Sequence, residues 1–181
     1  MSDVTRLLDA AAAGDRQSAA QLLPLVYDEL RKLAAARMAT ENPGHTLDAT
    51  ALVHEAYLRL TGAQSFVSKS HFMRTAAEAM RRILVDHARA RNAVKRGAGR
   101  RVDLDSGLPA APVRDEAIKA LDESLSHLAA ENPKLAELVQ LRFFGGMTLE
   151  QAGEILGISA RTADTWWAYS RAWLAVDFKK A

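Results

Sequence analysis

The stretch LVQLRFFGGMTLEQAGEILGISARTADTWWAYSRAWL, residues 138–174, decides the fold. Gly145-Gly146 ends one helix. Thr148, with Gln151 three residues on, has the pattern of a capping box. It predicts a short helix over LEQAGEIL, residues 149–156, with Ala152, Ile155 and Leu156 facing inward. Gly157 supplies a turn, Ile158 plugs it, and Ser159 caps a final helix that starts at Ala160. A short and a long helix joined by a tight glycine turn form a helix-turn-helix. In that motif the second helix enters the DNA major groove by its first residues. Here those residues include Arg161, Thr162, Asp164 and Thr165. At helical spacing Ala163, Trp167, Ser170 and Leu174 make the core stripe, which leaves Trp166 nearer the surface.

Upstream of this motif the periodicity stays helical. Asn132-Pro133 starts a helix carrying Leu135, Leu138, Val139, Leu141 and Phe143. Before it, Ile118, Leu121, Leu125 and Leu128 mark another helix. Residues 97–115, GAGRRVDLDSGLPAAPVRD, lack periodicity and read as a linker. The expected organisation is therefore a domain over 1–98, a linker over 99–114 and a second domain over 115–181. In the first domain a helix from about His71 to Arg91 has Phe72, Met73, Ala76, Met80, Ile83, Leu84 and His87 on one face. Its opposite faces carry Arg74, Arg81, Arg82 and Arg89. A polar loop with one aromatic, Phe66, precedes it. A helix from the cap Asp48 to Thr61 is expected to bury Leu52, Val53, Ala56, Tyr57 and Leu60. Residues 3–13 make a short amphipathic helix ended by Gly14, and Asp15 caps the next. Alanine and leucine are abundant and β-branched runs are absent, so the chain is expected to be all-α: two small helical domains joined by a flexible linker.

Charge is unevenly distributed over the 181 residues. Residues 69–101 hold 10 basic and 2 acidic side chains, net +8, whereas residues 1–68 are net −2 and residues 102–181 net −4. The total of +2 hides one cationic block between two acidic ones. Such a block marks a polyanion site. Arginines on a helix attract phosphates, and a loop aromatic can hold an unstacked base.

Other chemistries find no support. The chain has no cysteine, which excludes a disulfide scaffold, a thiolate zinc site and a thiol nucleophile, and fits a reducing cytoplasm. The five histidines are scattered and no metal site is expected. No phosphate-binding glycine loop or nucleophile elbow occurs. The acidic pair Asp103 and Asp105 lies in the linker, without fixed geometry for acid–base work. An enzyme and a cofactor are therefore not expected. No apolar run reaches membrane-spanning length, and the N-terminus has no basic n-region.

Three segments in order resemble the extracytoplasmic-function (ECF) sigma factors of bacterial RNA polymerase, which contain only the second and fourth sigma regions. DATALVHEAYLRL, residues 48–60, is similar to the start of region 2, where the family reads close to DAEDLVQETFLRL. HFMRTAAEAMRRILVDHARARNAVKRG, residues 71–97, resembles the DNA-melting part of region 2. Residues 138–174 look like region 4, and the RAWL ending, residues 171–174, is similar to that of one subgroup.

The resemblance implies roles. The helix bearing Asp48, Thr50, His54, Glu55 and Leu58 would dock on core polymerase, which the family engages through its β′ clamp and β subunits. Loop 62–70 with Phe66 and Lys69 would hold a base flipped from the −10 element. Arg74, Arg81, Arg82, Arg89 and Arg91 would track its phosphates. Arg161, Thr162 and Thr165 would read the −35 element. Relatives usually offer Lys or Arg where this chain has Asp164 and Thr165. Aligned on Asp48 and Leu52, the acidic run becomes Asp48-Ala49-Thr50-Ala51, two carboxylates short. A phosphate on Thr50, added by a Ser/Thr protein kinase, would restore that charge at a helix N-terminus and replace an anti-sigma factor as the control. Two rival functions stay open on the residues: a stand-alone helix-turn-helix regulator, and a polymerase or anti-sigma interaction protein with impaired DNA reading.

Overall fold

The computed structural model describes residues 49–61, 68–92 and 115–178 without a break, with scattered positions between residues 6 and 35. Every regular element among them is helical: α1 (Ala49–Thr61), α2 (Lys69–Asn92), α3 (Asp115–Glu131), α4 (Pro133–Val139), a π-helical turn (Gln140–Phe144), α5 (Leu149–Leu156) and α6 (Ala160–Asp177). The expected all-α class is what the chain adopts. Asp48, the loop over 62–67 with Phe66, and the expected linker over 99–114 lie outside the described residues, as does the side chain of Arg91.

Helix α2 is the axis of the structure. Phe72, Met73, Ala76, Ala77, Met80, Ile83, Leu84, Val85 and Ala88 are buried along it. That is a wider stripe than the spacing predicts, because α2 is covered from two sides. On one side lies α1, which contributes Leu52, Val53, Ala56 and Leu60 to the core, with Tyr57 half-buried against it. The expected inward face of α1 is thus found, apart from the partial exposure of Tyr57. His87 is not buried in the apolar stripe; its Nε2 lies 3.2 Å from Glu55 Oε2. Arg59 completes a polar seam by donating to Glu55 Oε1 at 3.0 Å and Asp86 Oδ2 at 3.2 Å.

On the other side of α2 lie α3 and the π turn. Ile118, Leu121, Leu125 and Leu128 of α3 are buried, as spacing predicts. Asn132 caps α4 by accepting from the Leu135 amide at 3.3 Å, with Pro133 in the first turn. The helix does not run regularly to Gly145. It widens at Gln140–Phe144, where the Gly145 amide donates to Gln140 O at 3.0 Å. Phe143 and Phe144 are both fully buried, with ring centroids 5.0 Å apart, edge to face. Arg142 Nη1 donates to Met147 O at 2.6 Å and closes the following turn. Burial lowers the pKa of this guanidinium, which still stays charged at neutral pH.

Near the N-terminus the described positions agree with the reading. Gly14 has φ +94°. Asp15 accepts from the Gln17 amide at 3.0 Å and from Ser18 Oγ at 2.6 Å. The Ser18 hydroxyl first, then the Gln17 amide, hold its carboxyl below the ordinary value. Leu7, Leu30 and Ala34 join the same core cluster as the later helices.

Candidate nucleic-acid interface

The helix-turn-helix is built from its caps. Thr148 Oγ1 accepts from the Gln151 amide at 3.1 Å and Gln151 Oε1 accepts from the Thr148 amide at 2.9 Å, so both halves of the capping box form. Gly157 closes α5 in the left-handed region, φ +69°, which a side chain would strain. Its neighbour Ile158 donates to Gly153 O at 2.9 Å and packs against the core. Ser159 Oγ then accepts from the Thr162 amide at 3.1 Å and starts α6. Inward residues of α5 are Ala152 and Gly153; Ile155 and Leu156, expected inward, are only half-buried at the edge.

Along α6 the buried residues are Ala163, Trp167, Ser170 and Leu174, the stripe that spacing predicts. Trp166 is half-buried against the core. This packing turns Arg161, Asp164 and Thr165 to solvent at the start of the helix. Thr162 differs. Its hydroxyl lies 2.9 Å from Ser159 Oγ, so it serves the cap. The Thr165 hydroxyl donates to Arg161 O at 3.0 Å.

Contrary to the expectation from spacing, the arginines of α2 are not all free for phosphate: Arg74 and Arg81 are engaged by other helices. Arg82 is 68% exposed and, among the described residues, pairs only locally, with Glu78 one turn earlier. Lys69 opens the helix, half-buried. Arg89 is exposed, with Nη2 3.5 Å from Asp122 Oδ2. Arg81 instead faces the second half of the chain. Its Nε donates to Asp122 Oδ1 at 2.7 Å, its Nη1 to Gln140 Oε1 at 3.1 Å, and its Nη2 to Asp122 O at 3.0 Å and Ser126 Oγ at 3.2 Å. The guanidinium also stands 6.0 Å over the Phe144 ring. Arg74 Nε lies 2.9 Å from Glu137 Oε1, an ion pair without the angle of a hydrogen bond, and its Nη2 donates to Ile155 O at 3.2 Å. Helical spacing distinguishes these positions from the apolar stripe but carries no sign of a second packed element.

On α1, Thr50, His54 and Leu58 form one exposed stripe at four-residue spacing, with Leu58 56% exposed. Thr50 lies in the first turn, which has no acidic residue. Glu55 is not on that stripe. It is half-buried and engaged by Arg59 and His87 at the α2 side.

Among the described residues no group of histidine and acidic side chains could hold a metal ion. Nor is any of their helices long and apolar enough to cross a membrane. Neither the curated proteins nor the solved structures gave a match to the chain. A family model described as ECF sigma factor matches residues 1–180.

Proposed function

Because the chain belongs to the ECF sigma factor family and so acts as an RNA polymerase sigma factor, we propose that its promoter-reading and polymerase-docking surfaces are the ones just described. Binding core polymerase and promoter DNA comes with the family. The finer assignment rests on one observation above others: the fully capped turn between α5 and α6. It fixes Arg161, Asp164 and Thr165 outward while Ala163 and Trp167 hold the helix down. These residues read the −35 duplex. Arg161 engages phosphate or a guanine edge, and the Asp164 carboxylate accepts from a cytosine amino group. The exposed Arg82 and Arg89, with Lys69, Arg74, Arg81 and Arg91, supply the phosphate contacts of the −10 strand, and Phe66 the stacking platform. The chain divides functionally into a region 2 domain over 1–98, a linker over 99–114 and a region 4 domain over 115–181.

Docking to core polymerase uses the Thr50–His54–Leu58 stripe together with Asp48. The first turn of α1 lacks the carboxylates that a basic clamp helix attracts. A phosphate on the exposed Thr50 adds about −1.5 to −2 charges beside the positive end of the helix dipole. Phosphorylation by a Ser/Thr kinase is therefore the switch, in place of an anti-sigma partner. Thr50→Ala is expected to be inactive in cells and Thr50→Glu partly active, because one carboxylate carries less charge than a phosphate. Run-off transcription with core polymerase and kinase-treated protein checks this. Full transcription by Thr50→Ala under inducing conditions would sink the switch. Polymerase binding without any transcript would sink the promoter reading and leave an interaction protein.

A further inference from the structure

At the start of α6 most hydrogen-bonding groups are already committed. The Ser159 and Thr162 hydroxyls lie 2.9 Å apart and serve the cap, and the Thr165 hydroxyl donates to Arg161 O. The Arg161 guanidinium and the Asp164 carboxylate are different. Both side chains are exposed and, among the described residues, neither has a hydrogen-bond or ion-pair partner. Three residues apart, they share one face of the helix without pairing with each other. Aspartate is short, so it reaches a base edge only where the helix backbone comes close. One turn to either side of Asp164 stand Ala160 and Ala168, both exposed. This stripe lets the helix sink deep into a major groove with the carboxylate at its centre. Bulk charge gives the module little attraction for DNA: residues 148–168 hold Glu150, Glu154 and Asp164 against Arg161, net −2. What Asp164 offers instead is discrimination between bases.

In the major groove guanine presents two acceptors, thymine an acceptor and a methyl group, adenine an acceptor beside its amino donor, and cytosine an amino donor alone. An ionised carboxylate only accepts. It is repelled by the guanine and thymine oxygens and by adenine N7, and it suits cytosine N4. The guanine paired with that cytosine shows O6 and N7 to a guanidinium fork, the group that Arg161 supplies. We propose that Asp164 selects one cytosine of the −35 element through the amino hydrogen that points into the major groove, and that a methyl group on that N4 nitrogen closes the promoter to this factor. This rests on the reading of α6 as the −35 helix. The other N4 hydrogen is used in base pairing. In a paired N4-methylcytosine the methyl group therefore takes the place of the groove-facing hydrogen. The carboxylate then loses its donor and meets an apolar group, while the base pair itself persists. The substrate is thus a −35 duplex in which that amino group is unmodified, and the promoter is read for chemical state as well as for sequence.

Selection by holoenzyme, reconstituted from the full chain and core polymerase, tests this. The probe is a duplex library randomised across both promoter elements. Wild type is expected to return a fixed cytosine at one −35 position. Asp164→Ala should relax that position alone. Asp164→Asn should move it from cytosine to adenine, whose N6 and N7 match a carboxamide. A damaged helix would blur every position and would not produce that exchange. The selected promoter is then synthesised with N4-methylcytosine at the chosen position or, as a control, in the spacer between the elements. The −35 methyl group is expected to weaken binding of wild-type holoenzyme about tenfold or more, and of Asp164→Ala holoenzyme less than about twofold. The spacer methyl group should change neither. A −35 consensus that both substitutions leave as it was, or a methyl penalty equal in wild type and Asp164→Ala, overturns the proposal while the −35 reading stands. A library that shows no preference at any position upstream of the −10 element overturns both.

Discussion

Arg81 and Arg82 are neighbours in sequence with opposite assignments. Arg82 points to solvent and, among the described residues, meets only Glu78 on its own helix. An exposed pair of that kind contributes little, about 0.3–0.5 kcal/mol. Removing it should leave stability intact and cost one phosphate contact. Arg82→Ala is thus expected to make the salt slope of promoter binding shallower by about 1, at unchanged unfolding midpoint. Arg81→Ala leaves the mostly buried Asp122 with the exposed Arg89, 3.5 Å away, in place of its close partner at 2.7 Å. The expected cost is about 1–3 kcal/mol of stability, read as a lower denaturant midpoint. If both variants lose the same stability, the distinction between the two arginines is void. None of the hydrogen-bond partners of Arg81 could be found from its own surroundings in sequence, because Asp122, Ser126 and Gln140 lie 41, 45 and 59 positions away.

At the scale of elements, what is local was legible. The caps Asn132, Thr148 and Ser159 and the turn glycine Gly157 act within three or four residues, and their spacing announced α4, α5 and α6. The core stripe of α6 followed from period alone. The π turn was not legible. It depends on burying both Phe143 and Phe144 against α2, a tertiary demand that overrides the regular helix period. Gly153 was also missed as a contact residue. A Cβ on it would stand 3.2 Å from the Ile158 carbonyl oxygen and 3.5 Å from Ala163 Cβ, so its bareness sets how closely α5 approaches α6. In a free helix Gly→Ala would gain about 1 kcal/mol. Here the obstructing atom is backbone of the turn itself, and crowding typically costs about 1–3 kcal/mol. Gly153→Ala should therefore come out destabilising by about 1 kcal/mol. It should also weaken binding to a −35 duplex more than to a −10 fragment, because the shift falls on the start of α6. An unchanged denaturant midpoint with unchanged −35 affinity would show that the turn absorbs the methyl group.

For the molecule as a whole, the buried residues of both halves form one cluster, from Leu7 through α2 to Leu174. The cationic block and the acidic region after it could be counted in sequence, but not their meeting, which a solvated α2 would equally have fitted. That meeting has a consequence for how the free chain responds to salt. Ordinary DNA binding weakens as salt rises, because each phosphate contact releases counterions. In the free chain the same arginines are held by Asp122 and Glu137, and salt also screens those pairs, the exposed Arg89 and Arg74 more than Arg81. Rising salt therefore lowers the intrinsic affinity while weakening the carboxylate pairs that occupy the same arginines, and the two effects oppose each other. Wild type should show a shallower fall of log affinity with log salt than Asp122→Asn/Glu137→Gln, by about 1 in slope between about 50 and 200 mM. Any gain in affinity of the Asp122→Asn/Glu137→Gln variant should accordingly be largest at low salt and shrink as salt rises. Anisotropy titrations of both proteins on one promoter fragment measure this directly. Parallel lines would mean that the carboxylates do not compete with phosphate for the α2 arginines.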